Sequence, residues 1–257
     1  MTRIDSYEDL TDNIVRWLND YYWMHDVKAF VVGVSGGIDS AVVSSLCART
    51  GLPTYVVCMP LESKFENSRL SDAHSKALVE KYDNVKRVEV ELFSAYDSLI
   101  KSIEWWSEAQ HFDKKEFTSS EHAKANTKSR MRMITLYQIA GSVGGIVVGT
   151  GNKVEDYGVG FYTKYGDGGV DIAPIADLYK TEVWELGEYL EVDQRIVDAD
   201  PTDGLWIDSR SDEEQLGASY AELEEAMETG TGPAVDVLKK FNEQNKHKML
   251  PIPTFKL

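Results

Sequence analysis

The stretch "VVGVSGGIDSAVVSSL", residues 31–46, decides the fold of this chain. An apolar, β-branched segment leads through Ser-Gly-Gly into apolar residues at helical spacing, and this pattern predicts a strand, a glycine turn and a helix. Adjacent glycines let the backbone approach an anion and direct N–H groups at it, and the following helix adds its positive N-terminal end. The stretch therefore indicates a site for a phosphate group.

Two common phosphate loops are excluded. The pattern G-x-x-x-x-G-K-[ST] occurs nowhere in the chain, and G-x-G-x-x-G is absent after Val31. The turn has no lysine and contains instead two serines, Ser35 and Ser40, and an acidic residue, Asp39. From these residues alone, a strand-to-helix turn capped by Asp39 or Ser40 is the alternative to an anion site.

Outward from this loop, predicted strands and helices alternate along the chain. Strands are predicted over residues 28–34, 53–60, 85–92 and 145–150, and between them helices over 39–50, 68–82, 94–106 and 121–144. This order predicts an α/β fold with a doubly wound, mostly parallel sheet and helices on both faces, of Rossmann-like type. The glycine-rich residues 149–174 predict a long functional loop, and residues 242–257 predict a polar tail broken by prolines.

Composition limits the class of protein. The 257 residues suit one domain, and no apolar run approaches the ~18 residues of a membrane span. The N-terminus has no signal-peptide pattern, and the two cysteines lack C-x-x-C spacing, so a cytoplasmic protein with free thiols is expected. The formal charge of −16, without a cluster of basic residues, disfavours nucleic acid as a partner. No membrane partner is expected either.

The loop Ser-Gly-Gly-x-Asp-Ser after an apolar strand resembles the pyrophosphate loop of the ATP-pyrophosphatase superfamily. Enzymes of that superfamily cleave ATP between its α and β phosphates and adenylate a carbonyl or carboxylate oxygen. The resemblance implies that ATP binds along Gly33, Val34, Ser35, Gly36, Gly37, Ile38, Asp39 and Ser40. It also implies a use for the acidic residue, because Asp39 would hold a Mg²⁺ ion that bridges phosphate oxygens.

Four further blocks resemble the NAD synthetase family. They are "NTKSRMRM" (126–133), "GTGNKVEDYGVGFYTKYGDGGVDIAPIADLYKTEV" (149–183), "PTDGLW" (201–206) and "NKHKMLPIP" (245–253), in the family's order and across nearly the whole chain. The chain is most similar to the ammonia-dependent members, which use ATP to amidate deamido-NAD and are typically homodimers. Residues 1–27 are too few for a glutaminase domain, so one domain over residues 1–257 and free ammonia as the nitrogen source are expected.

The same resemblance implies roles for residues outside the loop. Glu155 would be the second Mg²⁺ ligand, and Lys180 would supply the cation that the loop lacks, so Asp39, Glu155 and Lys180 are the candidate catalytic residues. Thr150 and Thr202, with Lys180, would contact ATP. The positions implied for deamido-NAD are Arg130, Lys164, Asp171, His247 and Lys248.

Three details of this assignment are hypotheses. Asp171 is a candidate acceptor of the ammonium proton, and residues 157–169 are a candidate lid that excludes water from the intermediate. The segment between Glu155 and "FYTKYGDGG" is one residue longer than in many members of the family. Asp156 therefore competes with Glu155 for the metal position.

Two other classes of function remain as alternatives. A GMP-synthetase-like amidotransferase module or a tRNA-thiolating enzyme would share the loop, but the "FYTKYGDGG" block disfavours both, and the acidic composition disfavours tRNA. A nucleotide sensor of the universal-stress type would bind adenine nucleotides without turnover. The presence of Asp39, Glu155 and Lys180 together disfavours such a sensor.

Overall fold

A four-stranded parallel sheet forms the centre of the fold. The computed structural model describes residues 3–61, 65–113, 117–202 and 211–256, with residues 65–67 described by their backbone alone. The strands are β1 (Phe30–Gly33), β2 (Thr54–Cys58), β3 (Val85–Glu89) and β4 (Ile146–Val148). They lie in the order β3-β2-β1-β4, and every neighbouring pair is parallel.

Helices surround this sheet. They are α1 (Tyr7–Met24), α2 (Ile38–Arg49), α3 (Phe65–Lys81), α4 (Phe93–Ala109), α5 (Glu121–Val143), a π-helix (Val154–Val159), α6 (Lys180–Tyr189), α7 (Gln194–Val197), α8 (Asp212–Leu216), α9 (Tyr220–Thr229) and α10 (Val235–Met249). Within the described ranges, no helix combines the length and the apolar content that crossing a membrane requires.

The central strand β1 has helices on both of its faces. Successive side chains of a strand point to opposite sides of the sheet. Phe30 and Val32 accordingly pack in a core with α1, α2 and α6, whereas Val31 packs in a second core with α4 and α5. This arrangement confirms the predicted doubly wound parallel sheet.

A smaller apolar cluster lies at the carboxyl end of β4. Val154 and Val159 of the π-helix pack in it against Tyr220 and Leu223 of α9, with Leu238 of α10 at its margin. The cluster attaches the C-terminal helices to the segment that follows β4. It therefore determines where the residues after β4 lie relative to the glycine turn after β1.

Two predictions of local structure were wrong. Residues 149–174 were predicted as a loop, but they contain the π-helix, which is held by burial against α9 and α10. Residues 242–257 were predicted as a polar tail, but α10 continues to Met249. Its polar side chains bind backbone carbonyls of the π-helix segment, a contact between distant parts of the chain that local composition does not reveal.

A buried histidine between α2 and α3 couples the stability of this fold to pH. The ring of His74 shares a 2.9 Å hydrogen bond with the Ser44 hydroxyl, and burial lowers the pKa of His74 to about 4. Below its ordinary pKa of about 6.5, the unfolded chain binds a proton at this position that the folded chain does not bind. Stability is therefore lost as the pH falls from the unfolded pKa toward the folded one.

We expect His74 to contribute about 2 kcal/mol to the loss of unfolding free energy between about pH 7 and pH 5. Urea unfolding of the wild type and of His74→Gln at both pH values measures this contribution. The carboxylates titrate in both proteins, so the difference between the two pH dependences isolates His74. Equal pH dependences would contradict the prediction.

Candidate active site

The glycine turn is held by hydrogen bonds of its two serines, Ser35 and Ser40. Ser35 N–H donates to the Ser40 hydroxyl at 3.1 Å, and that hydroxyl donates to the Gly37 carbonyl at 2.9 Å. Gly36 has φ +94°, a conformation that favours glycine. Helix α2 begins after Gly37 without a side-chain cap, so Asp39 does not cap it, whereas the Ser40 hydroxyl does bond the backbone of the turn.

Three residues that are distant in sequence meet beside this turn. The Lys180 ammonium lies 2.6 Å from Asp39 Oδ2 and 3.0 Å from Glu155 Oε1. Asp39 is in the first turn of α2, Glu155 in the π-helix, and Lys180 at the start of α6. The Lys180 side chain is 3% exposed. The structure thus brings the three predicted catalytic residues into one contact.

Two further residues hold the carboxylates of this group. Asn152 donates from Nδ2 to Asp39 Oδ1 at 3.0 Å, and its Oδ1 accepts from the Glu155 N–H at 3.2 Å. Tyr220 donates from its hydroxyl to Glu155 Oε1 at 2.8 Å and to Asp212 Oδ2 at 3.3 Å. The sequence analysis did not single out either residue. Asn152 lies within the quoted 149–183 block, whereas Tyr220 has no local signal of function.

Burial makes the charges of this group strongly interdependent. Desolvation raises the pKa of Glu155, and the neighbouring Lys180 ammonium opposes that rise. Burial would lower the pKa of Lys180, but the carboxylates of Asp39 and Glu155 raise it above its ordinary value. Lys180 therefore stays charged and balances two partly buried carboxylates. The adjacent Asp156 has a pKa raised to about 7, first by burial and then by the charge of Glu155.

A cavity of about 570 Å³ opens over these residues at the carboxyl ends of the strands. All predicted ATP contacts line it, namely Gly33, Val34, Ser35, Gly36, Gly37, Ile38, Asp39, Ser40, Thr150, Lys180 and Thr202. Arg87, Arg132 and Asp156 line it as well, and the sequence analysis did not assign a role to either arginine. In open α/β sheets, ligands bind at this edge, and the volume suits a nucleotide. The rest of "PTDGLW", residues 203–206, lies outside the described residues.

The residues predicted to bind deamido-NAD do not line this cavity. Arg130 donates to the Lys164 carbonyl at 3.3 Å, and Lys164 donates to the His247 carbonyl at 3.1 Å. Lys248 donates to the Tyr162 carbonyl at 2.8 Å. These four predicted positions form one group beside the π-helix.

Asp171 lies apart from that group, at the edge of the sheet. Its carboxylate accepts from the Val147 N–H at 2.8 Å and from the Tyr137 hydroxyl at 3.0 Å. Its proposed role as a proton acceptor stays a prediction, as do the roles of the other four positions in binding the dinucleotide.

The donor set at the turn fits a magnesium ion that is shared with a substrate. In the described part of the chain, no group of three or more histidine, cysteine, aspartate or glutamate side chains is placed to hold a metal. Magnesium commonly takes only one or two protein carboxylates and completes its octahedron with phosphate oxygens and water. Asp39 and Glu155 meet that requirement, because both carboxylates lie within 3.0 Å of one ammonium at the phosphate loop.

Comparisons with known proteins point to one family. The family model described as NAD synthase matches residues 10–253. An NH(3)-dependent NAD(+) synthetase of Carboxydothermus hydrogenoformans is 35% identical over 95% of this chain and 95% of its own length. The structure of an NMN synthetase from Francisella tularensis, 31% identical, covers 99% of this chain and 100% of its own with a TM-score of 0.85. The structure of an NH3-dependent NAD synthetase from Campylobacter jejuni is 24% identical and has a TM-score of 0.76. It covers 98% of this chain and 100% of its own length, and it supports the fold.

Proposed function

The chain belongs to the NAD synthase family, and on that premise we propose how its cavity carries out the family's reaction. It is a ligase that amidates deamido-NAD with ammonia, and it converts ATP to AMP and pyrophosphate. The observation that carries this proposal is the contact of Lys180 with Asp39 and Glu155 at the end of the glycine turn.

The reaction needs groups that position phosphates and offset charge. The carboxylate of the nicotinate ring attacks the α-phosphorus of ATP, and pyrophosphate leaves. Ammonia then attacks the adenylated carbonyl carbon, AMP leaves, and a proton is released. The amides at the start of α2 and the Lys180 ammonium bind the phosphate oxygens, where negative charge grows during the first step. No side-chain nucleophile is required, because the substrate supplies the attacking carboxylate.

Asp39 and Glu155 are the residues that would hold magnesium. When bound there, the ion would neutralise charge on the phosphates of ATP. Asn152 and Tyr220 orient the two carboxylates by donating hydrogen bonds to them. Lys180 contacts both of these carboxylates, so its ammonium would lie beside the phosphates and offset their charge together with the ion.

A second candidate substrate is nicotinate mononucleotide. The 31% identity and full-length overlap with an NMN synthetase favour it, since that protein's product is the mononucleotide amide. Both reactions amidate the same carboxylate and use the same ATP site. They differ in whether the acceptor carries a second nucleotide, so direct comparison of the two acceptors distinguishes them.

The decisive assay mixes the protein with ATP, magnesium, ammonium and one acceptor, and measures the amide, AMP and pyrophosphate. We expect the three products in equal amounts from deamido-NAD, and ammonium to support turnover far better than glutamine. A higher kcat/KM for nicotinate mononucleotide would establish the second candidate. Pyrophosphate release that responds to XMP, or nucleotide binding without pyrophosphate release, would contradict both.

The proposal includes a homodimer, a single synthetase domain over residues 1–257, and a cytoplasmic location. Large apolar side chains are exposed on the two helices that cover one sheet face: Phe93, Leu99, Trp105 and Trp106 on α4, and Ile134 on α5. Exposed apolar surface of this kind is typical of an interface, so sedimentation should show a dimer. The free and buried thiols of Cys47 and Cys58 support a reducing compartment.

A further inference from the structure

Helix α10 lies outside the cavity and donates hydrogen bonds to the π-helix. The end of a helix leaves backbone carbonyls without helical partners. Asn242 donates from Nδ2 to the Gly158 carbonyl at 2.9 Å, and Asn245 donates from Nδ2 to the Val159 carbonyl at 2.8 Å. The two asparagines are three residues apart and so lie on neighbouring positions of one helix surface. They bind consecutive carbonyls of the π-helix.

Lys248 extends the same series by three more residues. Its ammonium donates to the carbonyls of Gly160 and Tyr162. The four bonded carbonyls thus belong to the last turn of the π-helix and to the segment directly after it. Helix α10 therefore satisfies the backbone that the π-helix leaves unpaired.

The approach of the two helices is too close for a side chain at one position. Gly160 has φ +64°, and a Cβ atom there would lie 2.6 Å from the Cβ of Asn245. The contact is therefore made by packing as well as by hydrogen bonds. Asn245 makes both kinds of contact. Its Cβ packs against Gly160, and its side-chain amide reaches the Val159 carbonyl.

The opposite side of the same segment faces the cavity. Glu155, Asp156, Phe161 and Tyr162 line it, whereas no residue of α10 does so in the part of the chain that the structure describes. Glu155 must be placed within 3.0 Å of the Lys180 ammonium to complete the catalytic group. The hydrogen bonds from α10 to this segment therefore connect α10 to the cavity through the π-helix.

We propose that Asn242 and Asn245 are positioning residues for the ligation reaction. This inference rests on the proposed function, and in it the two asparagines hold the π-helix so that Glu155 reaches Lys180. The side-chain amides act on the last turn of the π-helix, and Glu155 lies in its first turn. The π-helix is only six residues long, so donors bound to its last carbonyls help to hold the turn that carries Glu155.

The test compares Asn242→Ala, Asn245→Ala and the double variant with the wild type. We expect kcat for NAD formation to fall between about tenfold and a hundredfold in the double variant, the range that displacement of a catalytic group produces. The KM for ATP should change by less than about twofold, since the 33–40 loop is untouched. Backbone amides of residues 154–161 should exchange hydrogen at least about tenfold faster.

Two further variants separate positioning from packing. Gln244→Ala removes an exposed amide from the same helix and should change neither kcat nor exchange. Asn245→Asp keeps the shape of the side chain but replaces the donor with an acceptor, so it should lose activity as Asn245→Ala does.

A wild-type kcat in all three alanine variants, measured well below their thermal midpoints, would overturn the proposal even if stability fell. If the double variant does not fold, the two single variants decide the question by the same measurements. If the wild type does not amidate deamido-NAD, the proposed function fails. The exchange measurement still shows in that case whether α10 holds the π-helix.

Discussion

Replacement of Lys180 by methionine is expected to lower kcat for NAD formation by at least about a hundredfold, as removal of a preorganised charge at a reacting oxygen does. The ammonium is the side-chain cation placed between Asp39 and Glu155, and the proposed mechanism uses it to offset charge on the phosphates. The same substitution should lower the unfolding free energy by about 3 kcal/mol, because it leaves two partly buried carboxylates without their partner. Steady-state kinetics and urea unfolding measure the two effects.

A matched control is Lys153→Met, which removes a lysine from an ion pair at the surface. Lys153 lies 2.8 Å from an Asp177 carboxylate whose side chain is 87% exposed, so its loss should cost about 1 kcal/mol or less. Magnesium alone should raise the stability of Lys180→Met more than that of the wild type, because an ion can then bind the carboxylates without displacing an ammonium. Wild-type stability in Lys180→Met would contradict the view that Lys180 balances a buried pair.

The sheet and the phosphate loop could be predicted because their signals are local. Apolar β-branched runs specify the strands, and parallel connections place the carboxyl ends of β1 and β4 at one edge. Asp39 and Thr150 follow those two strands, so their proximity to the cavity was predictable from topology. Ordinary strand and helix periodicities were sufficient for this part of the fold.

The supporting contacts could not be predicted, because they join distant segments through ordinary residue types. Tyr220 is 65 residues from Glu155, and nothing in its neighbourhood indicates that its hydroxyl reaches a buried carboxylate. Asn242 and Asn245 occur in a polar sequence that suggests a solvated tail. Their contacts depend on a π-helix, a structure without a recognisable sequence periodicity.

The extra residue that the resemblance predicts after Glu155 bears on the π-helix. A π-turn closes hydrogen bonds between residues i and i+5, so it contains one more residue than an α-turn. The Gly160 and Phe161 N–H groups both donate to the Glu155 carbonyl, which places the additional residue within this turn. The predicted extra residue and the π-helix would thus have a common physical explanation.

Glu155→Gln and Asp156→Asn should have very different effects, although the two residues are adjacent and both line the cavity. We expect Glu155→Gln to reduce kcat by about a hundredfold or more and to raise the magnesium concentration needed for half-maximal activity. Its carboxylate bonds to Lys180 and Tyr220, and glutamine keeps the shape while it removes the charge. Asp156→Asn should reduce kcat by less than about tenfold, because Asp156 has no contact with Lys180 among the ion pairs of the described residues.

The magnesium titration of the two variants shows which of the two carboxylates belongs to the metal position. Asp156 packs so closely on Gly151 that a Cβ atom there would overlap its carboxylate, so Asp156 is held on the side of the π-helix nearest the loop after β4. If Asp156→Asn, rather than Glu155→Gln, raised the magnesium requirement, the metal position would belong to Asp156. The π-helix would then have shifted the ligand by one residue relative to the shorter family members. Equal effects of both substitutions would instead indicate that the wider turn presents two carboxylates to one ion.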